Sequence, residues 1–242
     1  MAYVDLNEVI EDQWEGVVGT PVLFESPGGT YSGGNDADVI YGSDPWTHYH
    51  QYYDEQLQDW VTVSPDFNDG NDTISGGGGG DFVDGRGGND YIQGNAGDDN
   101  LSGMNGSDTI YGGQNNDTVY GNTGSDSLSG DLGNDIIYGG MDDDRLSGGD
   151  GSDFLSGDSG NDLIWTGSGA DTVFHSGSPP SSGFHHDYVY DFDAFAGDTV
   201  QVGAAYTTYQ NGADTIVDFG NNAAVILVGV NLSTLPAGWV HF

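Results

Sequence analysis

The sequence predicts an all-β chain built as a stack of short repeated turns. Three observations predict it. A nine-residue period runs from Phe67 to Phe174 without insertion or deletion, the sixth place of all twelve units is Asp, and the eighth is always aliphatic. A fixed short period specifies stacking, because one unit cannot bury its apolar face alone and neighbouring copies must do it together.

Each unit divides into a turn and a strand. In the unit that begins at Gly85, Gly85-Arg86-Gly87-Gly88-Asn89-Asp90 is the turn and Tyr91-Ile92-Gln93 the strand. Ten units have Gly first and ten have Gly fourth, which suits tight turns and close backbone approach. Asn, Asp and Ser hold most fifth places and are turn residues too. Side chains alternate along a strand, so the eighth residue points inward while the seventh and ninth point out. The eighth slots are Ile74, Val83, Ile92, Leu101, Ile110, Val119, Leu128, Ile137, Leu146, Leu155, Ile164 and Val173, and stacking joins them into one core.

The sixth slots are Asp72, Asp81, Asp90, Asp99, Asp108, Asp117, Asp126, Asp135, Asp144, Asp153, Asp162 and Asp171. Strands stack about 4.8 Å apart, so these carboxylates repel one another unless cations lie between them. Asp supplies hard oxygen donors and the Gly-rich turn supplies free carbonyls. Six or more oxygens of this kind suit Ca²⁺, whereas Mg²⁺ demands a tighter octahedron and keeps its waters.

Gly148-Gly149-Asp150-Gly151-Ser152-Asp153-Phe154-Leu155-Ser156 matches G-G-x-G-x-D-x-U-x in full, the calcium-binding nonapeptide of RTX proteins. The chain therefore resembles the RTX, or hemolysin-type, family. The resemblance implies a right-handed parallel β-roll, two nonapeptides per turn, with Ca²⁺ between stacked loops on both sides. It makes the twelve sixth-slot Asp ligands, and six turns with five gaps on each side imply roughly ten internal ions or more. Departures are Asn115 and Asp142 at the fourth place, Phe67 and Thr166 at the first, and Arg86 and Met104 at the second.

Outside the array (67–174), residues 1–31 read as an N-terminal cap, with Val17-Val18 and Val22-Leu23-Phe24 as strand pieces. Residues 32–42 hold an isolated repeat, Gly33 to Tyr41, with Asp38 in the ligand slot and Ile40 in the core slot, out of register with the rest. An insertion over 43–66 carries Trp46, Tyr49, His50, Tyr53, Leu57 and Trp60 at helical spacing, so it reads as an amphipathic helix or a compact loop. Residues 175–242 read as a C-terminal cap. Asp187 falls in the sixth slot of a degenerate unit with Val189 in the eighth, which makes Asp187 a further ligand candidate. The run Asp187-Tyr188-Val189-Tyr190-Asp191-Phe192 followed by Gly197-Asp198-Thr199-Val200 resembles the closing segment of serralysin-like rolls. Ala213–Phe219 and Ala223–Val230 flank Gly220-Asn221-Asn222 as a hairpin.

With 39 acidic residues against two basic ones and a net charge of −37, nucleic acid and anionic membranes are excluded as direct partners. The same charge predicts disorder without metal. There is no Cys and no apolar run long enough for a transmembrane helix. Met1-Ala2-Tyr3-Val4-Asp5 lacks the basic and apolar regions of a secretory signal peptide. The RTX resemblance implies type I secretion directed by the C-terminal region instead, and an extracellular or cell-surface location.

No catalytic constellation is legible. His-Glu-x-x-His and Gly-x-Ser-x-Gly are absent, and the pairs His48 with His50 and His185 with His186 lack spaced partners. Third slots are too poor in Thr for ice binding. Outward aromatics are expected at Tyr91, Tyr111 and Trp165 on one sheet, and at Phe82, Tyr120, Tyr138, Phe154 and Phe174 on the other. The expectation is a secreted, non-enzymatic calcium-binding protein with a structural, adhesive or surface-assembly role. Self-association into filaments or layers is one kind of contact, and a module that binds a cell-surface glycan or a protein through the aromatic insertion is the alternative. A fragment or accessory domain of a secreted enzyme is the third class.

Overall fold

The computed structural model describes residues 30–32, 39–41, 53–54, 59–60, 70–176, 185–220 and 222–242. Short strands are β1 (Thr30–Ser32), β2 (Val39–Tyr41), β3 (Tyr53–Asp54) and β4 (Asp59–Trp60). The regular series follows: β5 (Thr73–Gly78), β6 (Phe82–Asp84), β7 (Tyr91–Ala96), β8 (Asn100–Asn105), β9 (Thr109–Gln114), β10 (Thr118–Thr123), β11 (Ser127–Leu132), β12 (Ile136–Met141), β13 (Arg145–Asp150), β14 (Phe154–Ser159), β15 (Leu163–Ser168) and β16 (Thr172–His175). The C-terminal part adds β17 (His185–Val189), β18 (Thr199–Val202), β19 (Thr207–Asn211), β20 (Asp214–Gly220), β21 (Ala223–Leu227) and β22 (Val240–His241).

Successive strands alternate between two sheets. The first runs β1-β5-β7-β9-β11-β13-β15-β17-β21-β20-β19, the second β2-β6-β8-β10-β12-β14-β16-β18-β22. Pairing within the array is parallel with an eighteen-residue offset, as in Val119↔Ile137 and Leu128↔Leu146. Two nonapeptides therefore make one turn, and the molecule is an all-β parallel solenoid. Most array strands span six residues rather than three, because the first three places of the next unit continue the pairing with the neighbouring turn.

The twelve eighth-slot residues are at most 2 % exposed and line up between the sheets as one core. Each fully buried Val, Leu or Ile contributes roughly 1.5–3 kcal/mol. Ninth slots point outward with two exceptions. Ser102 and Ser156 are buried, and their register partners are Tyr120 for the first and Tyr138 and Phe174 for the second, large rings beside a small side chain. At the second slot the backbone is left-handed, with φ 70° at Arg86 and 72° at Met104, where Gly is the unstrained choice.

Both ends rejoin the stack. Tyr31 pairs with Ile74 and Ile40 with Val83, each 43 residues apart where the array uses eighteen. The isolated repeat is thus the first turn of the same solenoid, and 25 residues are inserted after it. Tyr53–Asp54 and Asp59–Trp60 pair antiparallel, so at these residues the helical stripe expected for the insertion gives way to a hairpin, consistent with the strand preference of Tyr and Trp. The rest of 43–66 lies outside the described residues, as do Asp38, Val17-Val18 and Val22-Leu23-Phe24.

At the C-terminal end β21 and β22 extend the two sheets in parallel, and the expected hairpin β20–β21 turns the first sheet antiparallel. Val217, Val225 and Leu227 are fully buried and continue the core. Among the described residues no helix is long and apolar enough to cross a membrane.

Candidate metal centre

The turns that connect the two sheets fall at two edges, and the sixth-slot aspartates end those turns. One edge carries Asp81, Asp99, Asp117, Asp135, Asp153, Asp171 and Asp198. The other carries Asp72, Asp90, Asp108, Asp126, Asp144, Asp162 and Asp187. All are at most 3 % exposed. The apolar eighth residue two places on, anchored in the core, draws each Asp inward.

The two carboxylate oxygens have different surroundings. Each Oδ1 accepts the backbone N–H of the Asp one turn earlier. Asp99 donates to Asp117 at 2.8 Å and Asp126 to Asp144 at 2.8 Å, and these links measure 2.7 to 2.9 Å along both edges as far as Asp171 and Asp162. They lengthen at the C-terminal end, to 3.1 Å from Asp171 to Asp198 and 3.4 Å from Asp162 to Asp187. Each Oδ2, by contrast, is buried without a hydrogen bond at Asp90, Asp99, Asp108, Asp117, Asp126, Asp135, Asp144, Asp153, Asp162 and Asp171. A buried carboxylate oxygen left unpaired is costly.

The Oδ2 atoms face a space that only Gly leaves open. A Cβ added to Gly112 would lie 2.5 Å from Asp117 Oδ2 and 2.8 Å from the Gly130 carbonyl oxygen. A Cβ on Gly139 would lie 2.5 Å from Asp144 Oδ2 and 2.8 Å from the Gly157 carbonyl. The same clash with Oδ2 recurs at Gly76, Gly85, Gly94, Gly103, Gly121, Gly130, Gly148 and Gly157. Carboxylate and carbonyl oxygens of successive turns thus converge, all hard donors, while no three His, Cys, Asp or Glu side chains cluster among the described residues. That donor set fits Ca²⁺, which accepts mixed carboxylate and carbonyl oxygens in flexible geometry. It lacks the nitrogen and sulfur ligands that transition metals select.

The profile of the RTX calcium-binding nonapeptide repeat matches residues 68–92, 84–119, 93–128, 112–146, 120–155 and 147–177. Residues 68–177 belong to the RTX calcium-binding nonapeptide-repeat family. Among solved structures, extracellular lipase LipA from Serratia marcescens aligns over 92 % of this chain and 42 % of its own, at 15 % identity and a TM-score of 0.29. The present chain thus spans less than half the length of that protein. No curated protein matches the chain.

Electrostatics in the RTX array follow from burial. Asp117 and Asp144 are pushed up to about 8, and Asp90, Asp126 and Asp171 to about 7. Desolvation is the main cause. The amide bonded to Oδ1 pulls the other way, and charges one turn away, such as Asp99 and Asp135 beside Asp117, add to the rise. Like charges about 4.8 Å apart repel by roughly 3–4 kcal/mol at an effective dielectric of about 20. A divalent ion at each Oδ2 removes both penalties.

The structure gathers the twelve array aspartates and Asp187 into the two columns. It also adds Asp198, which sequence reasoning left out of the ligand set. Asp198 is 2 % exposed and its neighbour Val200 pairs with Val173. The signal was present as Gly197-Asp198-Thr199-Val200, an Asp two places before an aliphatic residue. Fifth-slot side chains form separate outer ladders: Asn116 Oδ1 accepts from Asn134 N–H, and Asn134 Oδ1 from Ser152 N–H, each at 2.8 Å. His185 and His186 are consecutive in β17 and so point to opposite faces.

Proposed function

We propose that this chain is a secreted calcium-dependent β-roll that serves as an extracellular structural or surface-assembly component, folding on Ca²⁺ after export. The observation that carries the reading is the set of buried Oδ2 atoms, from Asp81 to Asp162, each facing a first-slot Gly. Ten such cradles correspond to ten ions, five at each edge. The role is one of binding and building, not catalysis, since the carboxylates that would serve acid–base chemistry are committed to the columns.

Outward-facing aromatic rows, half-buried on the second sheet and exposed at Trp165 and Tyr190 on the first, support the assembly part. On the second sheet Tyr120, Tyr138, Phe154 and Phe174 form a continuous series, with ring centroids 5.3, 5.9 and 5.9 Å apart. On the first sheet Trp165 stacks on Tyr190 at 5.0 Å. Aromatic area of this kind on a flat sheet face favours contact with another surface. With a net charge of −37, copies of the chain associate only once calcium has offset the repulsion.

Sedimentation velocity tests this reading. Calcium is expected to produce assemblies that chelator reverses, and Tyr138→Ser should weaken assembly while leaving the β-signal intact. A monomer at every calcium and protein concentration would remove the assembly role.

A further inference from the structure

The outer face of the first sheet carries a depression that neither the calcium columns nor the aromatic contacts use. Its volume is about 370 Å³, within the range of roughly 300–1,000 Å³ of small-molecule sites. Gly113 forms its floor. This second-slot residue pairs with Asn95 one turn earlier and with Asp131 one turn later. A missing side chain therefore leaves a gap between two polar ones, two turns apart at about 4.8 Å per strand. Gln93 and Tyr111, paired in the ninth slot, wall the gap on one side, and Gln114 and Leu132, paired in the third, wall it on the other.

Part of this arrangement is structural. Asn95 and Asp131 have φ of 81° and 70°, the left-handed region in which Asn and Asp are enriched. Asn95 Nδ2 donates to Ser75 Oγ at 3.0 Å, and Asp131 Oδ1 accepts from the Ser129 hydroxyl at 2.6 Å. The same frame recurs on the second sheet. Asn122 Nδ2 donates to Ser102 Oγ at 3.0 Å, Asp158 Oδ1 accepts from the Ser156 hydroxyl at 2.6 Å, and Gly140 lies between them. The walls differ. Tyr138 matches Tyr111, but Tyr120 and Met141 stand where the first sheet has Gln93 and Gln114, and Tyr120 stacks on Tyr138 at 5.3 Å. The frame thus needs no glutamine. Among the described residues neither Gln93 nor Gln114 has a side-chain hydrogen-bond partner.

We propose that this depression binds an uncharged sugar unit of an oligosaccharide. A primary amide offers two donors and an acceptor, which suits neighbouring hydroxyls that each donate and accept. Gln93 and Gln114 place one amide on either side of the gap. Asn95 Oδ1 and Asp131 Oδ2 add acceptors beyond the bonds already named. Tyr111, 36 % exposed, and Leu132, 49 % exposed, supply apolar surface for the C–H face of a pyranose. Charge decides between sugars. The depression holds one carboxylate and no cation, and a chain of net charge −37 repels an anionic glycan. A cationic peptide would find carboxylates over the whole surface and would leave the amides unused. The site is independent of the assembly role, which rests on other aromatic residues.

Isothermal titration of the full chain in saturating calcium tests this, with maltohexaose, cellohexaose, chitohexaose and mannohexaose as neutral probes and hexagalacturonate and hexalysine as charged ones. At least one neutral probe is expected to bind. Gln93→Ala and Gln114→Ala should each weaken that binding by about tenfold, the scale of one lost hydrogen-bonding group. Met141→Ala, at the matching place on the second sheet, should leave it unchanged. Circular dichroism in calcium shows whether each variant keeps the fold, and binding is compared among those that do. Failure of every neutral probe to bind overturns the proposal, as does binding of a charged probe alone. Neutral binding that both glutamine variants retain in full puts the sugar elsewhere on the chain and overturns it equally.

Discussion

The backbone N–H of Asp117 donates to Oδ1 of Asp135, 2.7 Å away in the next turn of the solenoid. One carboxylate thus serves two purposes. Oδ1 ties consecutive turns together, and Oδ2 of the same group stays buried against a glycine. Loss of the charge and loss of the hydrogen bond are therefore separable by mutation.

Asp117→Asn keeps an acceptor oxygen and removes the charge. In saturating calcium it should destabilise the roll by about 3 kcal/mol, the scale for removing one partner of a buried charge pair. In chelator at pH 5, below the interval in which the metal-free fold is lost, the sign should reverse, because the wild-type carboxyl, pushed up to about 8, must take up a proton to fold and the amide need not. Thermal melts in the two buffers check both. Equal shifts of the same sign would separate Asp117 from calcium.

Gly112→Ala places a methyl between Asp117 Oδ2 and the Gly130 carbonyl. Overpacking costs about 1–3 kcal/mol, and here it also obstructs the cradle. The variant should bind one ion fewer and melt at lower temperature in calcium. Met104→Ala, at a partly exposed second slot, should leave the ion count unchanged. Equal counts for Gly112→Ala and the wild type would contradict the cradle geometry.

The pH dependence has a definite sign. In the metal-free fold the carboxyls of Asp90, Asp108, Asp117, Asp126, Asp135, Asp144, Asp162 and Asp171 are raised by burial from 3.8 to between about 6 and about 8. A group whose folded pKa is raised contributes stability that is complete below its unfolded pKa and lost as pH rises through the folded one. In chelator, β-structure should therefore be favoured near pH 4 and lost between pH 6 and 8. Calcium displaces these protons, so the calcium midpoint should fall as pH rises over the same interval. Circular dichroism across pH, with and without chelator, checks both trends. A calcium midpoint independent of pH would contradict the burial of these groups.

Removing residues 194–242 deletes β18 through β22 and with them the buried Val200, Val217, Val225 and Leu227. The ends of both sheets then lose their pairing, and open edges carry unpaired N–H and C=O groups. The truncated chain should need more calcium to fold, read as a higher midpoint in a calcium titration. An unchanged midpoint would mean that the array closes itself.

Periodicity made the core and the donor list legible. Every eighth-slot aliphatic from Ile74 to Val173 is buried, and every sixth-slot Asp is too, because a strict nine-residue repeat leaves one register open to the stack. Two turns escaped this reading. Tyr31 occupies an eighth slot but is aromatic, and 25 inserted residues break the count after Tyr41. Asp198 follows Asp171 by 27 residues rather than eighteen, since the segment between β16 and β18 is lengthened. The division of labour between Oδ1 and Oδ2 was not legible either, as it depends on which backbone amide the adjacent turn presents. At Tyr53 and Trp60, helical spacing misled because strand pairing won over the pattern.

Calcium-driven folding is tested most directly by far-ultraviolet circular dichroism of the purified chain at pH 7.5, first in chelator and then in millimolar Ca²⁺, the range of extracellular calcium modules. Self-repelling columns and unbonded Oδ2 atoms predict a disordered spectrum in chelator and a cooperative rise of β-signal with calcium. A β-spectrum that is already complete in chelator, and that calcium leaves unchanged, would contradict the metal-dependent fold.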